Sequence, residues 1–105
     1  MSMIYVSIKR KNGFLVGFKI QGHAGFNNKG PDIVCAGISS LVQSAFLGLN
    51  NYLHLKLECE MRMGFFELIL KDTPTKESEA ILNTMLLGIN EIAEMYPLNV
   101  CIKNK

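Results

Sequence analysis

The sequence predicts an α+β two-layer sandwich, in which two helices cover one face of a mainly antiparallel sheet and the elements follow the order ββαββαβ. Three observations predict this fold. Two pairs of short segments alternate apolar and polar residues, which is the pattern of β-hairpins. After each pair, the apolar residues recur at steps of three and four over a segment long enough for a helix, and a last alternating segment closes the chain.

The first hairpin comprises residues 3–9, "MIYVSIK", and residues 14–21, "FLVGFKIQ". Asn12 and Gly13 between them accept the positive φ values of a two-residue turn, so the two strands are expected to pair antiparallel. The residues predicted to share the buried face are Ile4, Val6 and Ile8 in the first strand and Phe14, Val16, Phe18 and Ile20 in the second.

The first helix is predicted from Asp32 to about Leu53. Gly30, Pro31 and Asp32 mark its start, since proline fits a first turn and aspartate can cap a free amide. The apolar positions that recur with helical spacing are Val34, Ile38, Leu41, Val42, Ala45, Leu49 and Tyr52 or Leu53.

The second half of the chain repeats this order. Residues 55–61 alternate, with Leu55, Leu57, Cys59 and Met61 on one face, and "FFELILK" follows Met63 and Gly64 as the second arm. A helix is predicted after Thr73, Pro74 and Thr75, with a stripe through Ile81, Met85, Ile89 and Ile92 and an end before Pro97. The final strand, "LNVCIK", turns Leu98, Val100 and Ile102 to one side.

Length and composition indicate one domain, residues 1–105, because a second core would have too few residues to exclude water. The apolar fraction is 49% and the mean hydropathy is +0.19, which is high for a small chain. Apolar surface is therefore expected to remain after folding, and we expect a homodimer to cover it.

Charge and patterning bear on partners and location. The net charge is only +2, and no basic run exceeds "KRK" at 9–11, so no direct contact with nucleic acid is expected. The N-terminus shows no secretory signal pattern, and the purely apolar runs are too short to span a bilayer. The sequence thus predicts a cytoplasmic protein that does not associate with a membrane.

Three cysteines, Cys35, Cys59 and Cys101, are expected to be free thiols, and without a CxxC pair they predict no zinc site and no other cofactor. Cys59 is expected to pack on the apolar face of its strand, while Cys101 falls on the opposite sheet face from Val100 and Ile102, suggesting an interface. We interpret His54 as a connector residue or a helix-end dipole partner, and Glu77 and Glu79 as favouring the start of the second helix.

The stretch "GHAGFNNKGPDIVCAGISS", residues 22–40, combines groups suited to nucleophilic catalysis. Cys35 is expected in the first helical turn, where unpaired amides and the helix dipole favour a thiolate. His23, at the end of the second strand, could face that turn and exchange a proton with the thiol, and the same amides could hold an oxyanion.

Neighbouring residues suggest supporting roles. Asp32 could cap the helix or orient His23, and Ser39, one turn beyond Cys35, could hydrogen-bond to Cys35 or to a substrate. Gly22 and Gly25 allow backbone conformations or close approaches that a side chain would obstruct. The loop formed by Gly25, Phe26, Asn27, Asn28, Lys29 and Gly30 is a possible lid. Spacing alone equally permits a small apolar cysteine, a strand-end histidine and a plain cap.

The segment "GHAGFNNKGPDIVCAGISSL" resembles the signature of the ribosomal-processing cysteine protease family, called Prp, in which "GHA" is followed after a short loop by "DIVCA" and a helix. The first hairpin and the closing "LLGINEIAEMYPLNVCI" also resemble the family, so the similarity covers nearly the whole chain. The specific part of the likeness lies in residues 22–40.

The resemblance implies a small homodimeric endopeptidase with Cys35 as nucleophile, His23 as general base and acid, and Asp32 and Ser39 in supporting positions. It also implies the substrate: the N-terminal segment of a large-subunit ribosomal protein, removed after a hydrophobic, Phe-rich sequence. Two other functions stay open at this stage. One is a non-enzymatic ribosome-associated interaction module, and the other is a thiol redox sensor, which the absence of a nearby resolving cysteine in the sequence disfavours.

Overall fold

Residues 3–22 and 29–104 are described by a computed structural model, with the side chains at 29–32 and 104 outside that description. The elements are β1 (Ile4–Lys11), β2 (Phe14–Gln21), α1 (Lys29–Leu47), a π-helical turn (Gly48–Tyr52), β3 (Leu57–Arg62), β4 (Phe65–Leu70), α2 (Lys76–Met95) and β5 (Val100–Asn104). The predicted order ββαββαβ is confirmed.

The five strands form one sheet in the order β3-β4-β2-β1-β5. Three neighbouring pairs are antiparallel, and β1 and β5 are parallel, so the sheet is mainly antiparallel as predicted. Because β2 and β3 run in the same direction, and so do β4 and β5, each helix is a crossover between parallel strands. Both crossovers lie on one face of the sheet, which gives the two-layer sandwich.

The core lies between the sheet and the two helices. Most of the predicted helix stripe residues are buried, but Tyr52 is 79% exposed, and four others are only half-buried: Leu41, Leu53, Ile81 and Ile92. Phe18 and Phe66 stack from adjacent strands with ring centroids 5.6 Å apart. The buried helix residues of this core are Val34, Ile38, Val42, Ala45 and Leu49 in α1 and Leu82, Met85, Leu86 and Ile89 in α2.

A β-bulge changes the predicted alternation of β2. Lys9 pairs with Gly17 but Arg10 pairs with Leu15, so Val16 is the additional residue. Because of this additional residue, the side chains of β2 before the bulge face the opposite side of the sheet from the one that strict alternation predicts. As a result Leu15 is completely buried and Phe14 is 46% exposed, whereas the sequence analysis had placed Phe14 on the buried face.

The prediction of which β3 residues face the helices is confirmed, but two of these residues are exposed and not buried. Leu57, Cys59 and Met61 pair with the core residues Leu70, Leu68 and Phe66 of β4, so they point to the helix side. β3 is the edge strand, however, and its inward side chains are covered less than those of β4. Cys59 is therefore exposed, and Met61 is 58% exposed, which corrects the predicted packing role of Cys59.

The helix α1 begins at Lys29, three residues before the predicted start at Asp32. Pro31 does not prevent this, because the first residues of a helix have no intrahelical acceptor for their amides and proline has no amide hydrogen to lose. Lys29 and Gly30, predicted to belong to the loop, are thus the first two residues of the helix.

The far end of α1 is a π-helical turn rather than regular α-helix. The Leu53 amide donates to the Gly48 carbonyl at 3.0 Å, five residues back. Beyond it, exposed His54 has φ 55° and lies in the connector to β3, which is one of the two positions predicted for it.

The α2 boundaries follow the predicted signals. Thr75 is the N-cap, and its hydroxyl and that of Ser78 each accept a hydrogen bond from the other residue's amide, which completes a capping box. The last strand begins only at Val100, because residues 97–99 form a turn, and Leu98 is 67% exposed rather than on the inward face.

Residues Ile33–Tyr52, which include most of α1, are long and apolar enough to cross a membrane by length and composition, and 28% of this apolar stretch is buried. The helix of a protein core can satisfy the same test. Here Val34, Ile38 and Val42 belong to the core under the sheet, and the polar Ser39, Gln43 and Asn50 interrupt the remaining surface. The packing therefore accounts for the apolar character of one face of this helix.

Candidate active site

Cys35 lies at a cavity of about 240 Å³ between α1 and the sheet. Its side chain is half-buried and packs against the core cluster, which leaves part of the residue accessible from the cavity. The described residues that line this cavity are Ile4, Ile20, Gly22, Cys35, Ile38, Ser39, Val42, Gln43, Met61, Arg62, Gly64, Phe65 and Phe66.

Helical spacing places three of these residues in line. Cys35, Ser39 and Gln43 follow one another at steps of four, so their side chains lie along one face of α1. The neighbouring positions Ile38 and Val42 belong to the buried stripe of the same helix and anchor it on the sheet. The cavity wall on the helix side is therefore polar toward solvent and apolar toward the core.

The opposite wall comes from the β3–β4 hairpin, which the sheet brings beside the end of β2. Gln21 pairs with Phe65 and Ile20 pairs with Phe66, so the hairpin turn lies next to Gly22. The Gly22 amide donates to the Gly64 carbonyl at 2.9 Å and joins the end of β2 to that turn. Both glycines line the cavity at this junction.

Gly22 supplies the close approach that the sequence predicts for it. Its φ is 98°, in the region that side-chain-bearing residues rarely adopt, and a Cβ there would collide with the backbone oxygen of Met3. The backbone can therefore leave β2 beside Cys35's cavity only with glycine at this position.

Polar side chains at the cavity rim are held by hydrogen bonds and ion pairs. The Gln43 Nε2 atom donates to Ser39 Oγ at 2.6 Å on the helix side. Across the cavity, the Arg62 guanidinium carbon lies 4.0 Å from the centroid of the Phe65 ring, and Arg62 Nε lies 2.9 Å from Glu60 Oε2. The rim thus presents an amide, a hydroxyl and a cation around an apolar floor.

The structure brings together Cys35, Ser39 and Gly22 among the predicted site residues. His23, Gly25, Phe26, Asn27 and Asn28 lie outside the described residues, and so does the side chain of Asp32. The predicted contact between His23 and Cys35, the orienting role of Asp32 and the lid therefore stay predictions.

The helix start corrects one part of the sequence argument. Since α1 begins at Lys29, Cys35 lies in the second turn, not the first, and its amide is in register with the carbonyl of Pro31. The N–H groups without an intrahelical acceptor belong to the residues that begin the helix, where Pro31 has no N–H at all. These amides thus lie one turn before Cys35, not in the same turn as predicted, and their contact with an oxyanion stays a prediction.

Sequence reasoning missed the residues on the hairpin side. Met61, Arg62, Gly64 and Phe65 are remote from Cys35 along the chain, and only the pairing of β2 with β4 brings them to it. No local pattern could indicate that pairing. Gln43 is different, because its spacing of eight residues from Cys35 already placed it on the same helix face.

The other thiols lie in different surroundings. Partial burial raises the pKa of the Cys59 thiol, although the residue as a whole is exposed at the sheet edge, so Cys59 is held in its less reactive protonated form. Cys101 pairs with Tyr5 on the sheet face that carries no helix, which agrees with its predicted face. Among the residues that the structure describes, no three His, Cys, Asp or Glu side chains come together as metal ligands.

Comparisons with known proteins agree on one family. Residues 3–101 match the cysteine protease Prp family. The chain is 33% identical over 89 residues to a ribosomal processing cysteine protease Prp of Staphylococcus aureus, covering 82% of this chain and 83% of the relative.

Solved structures agree as well. A Staphylococcus aureus Prp with a covalently linked product peptide superposes with a TM-score of 0.88 at 29% identity, over 98% of this chain and all (100%) of that one. The same protease with a substrate peptide gives a TM-score of 0.89 at 28% identity, with the same two coverages of 98% and 100%.

Proposed function

This chain belongs to the cysteine protease Prp family and is a cysteine protease, and we propose that it removes a short N-terminal extension from a large-subunit ribosomal protein. In this proposal cleavage follows a hydrophobic, Phe-rich sequence, Cys35 is the nucleophile and His23 is the general base and acid. Family membership makes the chain an enzyme, so the non-enzymatic module no longer describes it.

The single observation that carries the proposal is the position of Cys35 at an apolar cavity. Phe66, Ile38 and Met61 line the space into which a hydrophobic side chain of a bound peptide can insert. The scissile carbonyl next to such a side chain would then lie within reach of the sulfur. An apolar subsite beside the nucleophile is the arrangement that cleavage next to hydrophobic residues requires.

The placement of Gly22 supports His23 as the partner of Cys35. Gly22 lines the same cavity as Cys35, and His23 is the next residue in the chain. An imidazole accepts the thiol proton as the sulfur attacks the carbonyl carbon, and it donates that proton to the departing amine as the peptide bond breaks. Water then hydrolyses the thioester with the same imidazole as base, which releases the acid product and regenerates the thiol.

The substrate assignment rests on the relatives. The Staphylococcus aureus protein is a ribosomal processing protease, and it has been solved with a substrate peptide and with a covalently linked product peptide. The near-complete coverage at a TM-score of 0.89 supports a peptide-binding site of similar shape in this chain. We extend the proposal to a homodimer that acts in the cytoplasm.

A cleavage assay tests the proposal directly. Purified protein is incubated with a peptide that spans a hydrophobic, Phe-rich processing site, and kcat/KM is measured by chromatography for the wild type, Cys35→Ala and His23→Ala. Cys35→Ala should abolish cleavage, because no nucleophile remains to form the thioester. His23→Ala should lower kcat/KM by about 10²- to 10⁴-fold, the contribution of a general base.

Cys59→Ala and Cys101→Ala are the matched controls, since each removes a thiol away from the cavity, and both should keep wild-type activity. Equal cleavage by the wild type and Cys35→Ala would rule out Cys35 as the nucleophile. Loss of activity in either control would assign the reaction to a different thiol. Cleavage of a scrambled peptide at the same rate would contradict the proposed sequence preference.

A further inference from the structure

We propose that Gln43 is a positioning residue of the protease site, which holds the Ser39 hydroxyl so that it donates a hydrogen bond to the Cys35 thiolate. The inference rests on the proposed function in taking Cys35 as the nucleophile. It adds a hydrogen-bonded relay along α1, from Gln43 through Ser39 to Cys35.

The geometry of the helix supports this direction. Side chains on an α-helix lean toward its N-terminus, so each member of a series at steps of four reaches toward the one before it. Gln43 already does so, with its Nε2 atom 2.6 Å from Ser39 Oγ. The hydrogen bonds of the described residues include none between Ser39 and Cys35, but the same rule directs the Ser39 hydroxyl toward the turn that carries Cys35, and all three residues line one cavity.

The chemistry of the contact sets the direction of donation. A side-chain amide nitrogen can only donate, so the Ser39 oxygen is the acceptor and its own hydrogen is not used in this bond. Among the described residues, no atom accepts a hydrogen bond from the Ser39 hydroxyl. A hydroxyl that accepts one hydrogen bond becomes a better donor of the next. Its natural acceptor in the cavity is a negatively charged sulfur.

Exposure explains why an anchor matters here. Ser39 is half-buried and Gln43 is exposed, so without its partner the hydroxyl could rotate toward water or toward a carbonyl in the preceding turn. The hydrogen bond from Gln43 occupies one side of the oxygen and restricts that rotation. Gln43 itself does not touch the reacting atoms in this arrangement.

The critical variant is Gln43→Glu, which keeps the length and branching of the side chain but replaces the donor by an acceptor. The Ser39 hydroxyl then donates to the new carboxylate and is withdrawn from the sulfur. We expect kcat to fall by roughly three- to tenfold with KM little changed, the effect of one hydrogen bond. Gln43→Leu should give a smaller loss, since the hydroxyl is released rather than redirected. Ser40→Ala, the exposed neighbouring serine, should match the wild type.

A second readout does not need a peptide substrate. The rate of iodoacetamide alkylation of Cys35, followed by peptide mass spectrometry at fixed pH, should fall by a similar factor in Gln43→Glu. Because a new negative charge could slow alkylation by itself, both changes are repeated in a Ser39→Ala background. There Gln43→Glu should have little further effect, whereas a direct charge effect would persist.

These outcomes separate the two proposals. Wild-type rates of cleavage and alkylation in Gln43→Glu would overturn the role of Gln43 while leaving Cys35→Ala to judge the protease function. A rise in KM alone, or an undiminished effect of Gln43→Glu in the Ser39→Ala background, would also overturn it. Failure of the wild type to cleave any peptide would instead count against the proposed function.

Discussion

At the scale of single residues, two glycines with positive φ show how different constraints produce the same residue type. Gly13 has φ 83° in the β1–β2 turn, with nothing within 4 Å of the position where a Cβ would stand. Gly22 has φ 98° and, in addition, the Met3 backbone oxygen where the Cβ would be. At Gly13 only the positive φ disfavours a side chain. At Gly22 a side chain is disfavoured both by the positive φ and by the collision with Met3.

These two positions give a matched pair of variants. Gly13→Ala should lower the free energy of unfolding by about 1–2 kcal/mol, the cost of holding alanine in a left-handed conformation. Gly22→Ala should cost clearly more, because strands β1 and β2 must also separate, and it should reduce cleavage since Gly22 lines the cavity. Urea denaturation measures the free energy of unfolding of the two variants. Equal destabilisation would show that contact with Met3 is unimportant.

At the scale of elements, a residue of α2 is hydrogen-bonded to β2 beside its bulge. The Leu15 amide donates to Glu79 Oε2 at 2.8 Å, and the Asn83 side chain holds the same glutamate from the next turn of α2. The sequence analysis treats Glu79 only as a favourable charge near the start of α2. The structure adds that it binds a strand amide beside the bulge, so the helix and the sheet are joined there by a hydrogen bond to a carboxylate.

Replacing this carboxylate should therefore cost more than replacing its neighbour. Glu79→Ala leaves the Leu15 amide without its acceptor in a partly buried place and should lower the free energy of unfolding by about 1–3 kcal/mol. Glu77→Ala, an exposed carboxylate in the same turn, should cost at most about 1 kcal/mol through the helix dipole. Urea denaturation curves of the two variants provide the measurement, and similar midpoints would contradict the role of Glu79.

Elements also differ in how well local sequence specifies them. The capping box of Thr75 and Ser78 and the turn at Asn12 and Gly13 lie where the sequence predicts them, because each depends on residues a few positions apart. The start of α1 lies before its predicted position, since Pro31 is compatible with several positions in a first turn. The edge position of β3 depends on which strands pair, and periodicity carries no information about that.

At the scale of the whole molecule, apolar side chains are left over on the surface. Leu47 is 50% exposed, Leu87 67% and Met95 66%, all of them on the helices. The composition predicts that apolar surface remains after folding and that a second copy covers it. These three side chains are candidates for that surface.

We accordingly expect sedimentation equilibrium at micromolar concentrations to give a mass near twice the 11.7 kDa of one chain. Leu87→Glu, which places a charge on this surface, should shift the equilibrium toward the single chain if the helix layer is the interface. Thr84→Glu, an exposed position one helical turn before Leu87, tests how far that surface extends. A mass of one chain for the wild type would contradict the homodimer, and a dimer unaffected by Leu87→Glu would place the interface elsewhere.

The sequence was sufficient to predict the strands, the helices, their order and the two-layer arrangement, because hydrophobic periodicity and turn chemistry are local properties of the chain. It also placed Cys35, Ser39 and Gly22 in one candidate site. The folded chain was needed to see that β2 pairs with β4, that the bulge turns Leu15 inward, and that Met61, Arg62 and Phe65 form the far wall of the cavity. These features depend on contacts between residues far apart in the chain, whose free energy is gained only when the sheet is complete.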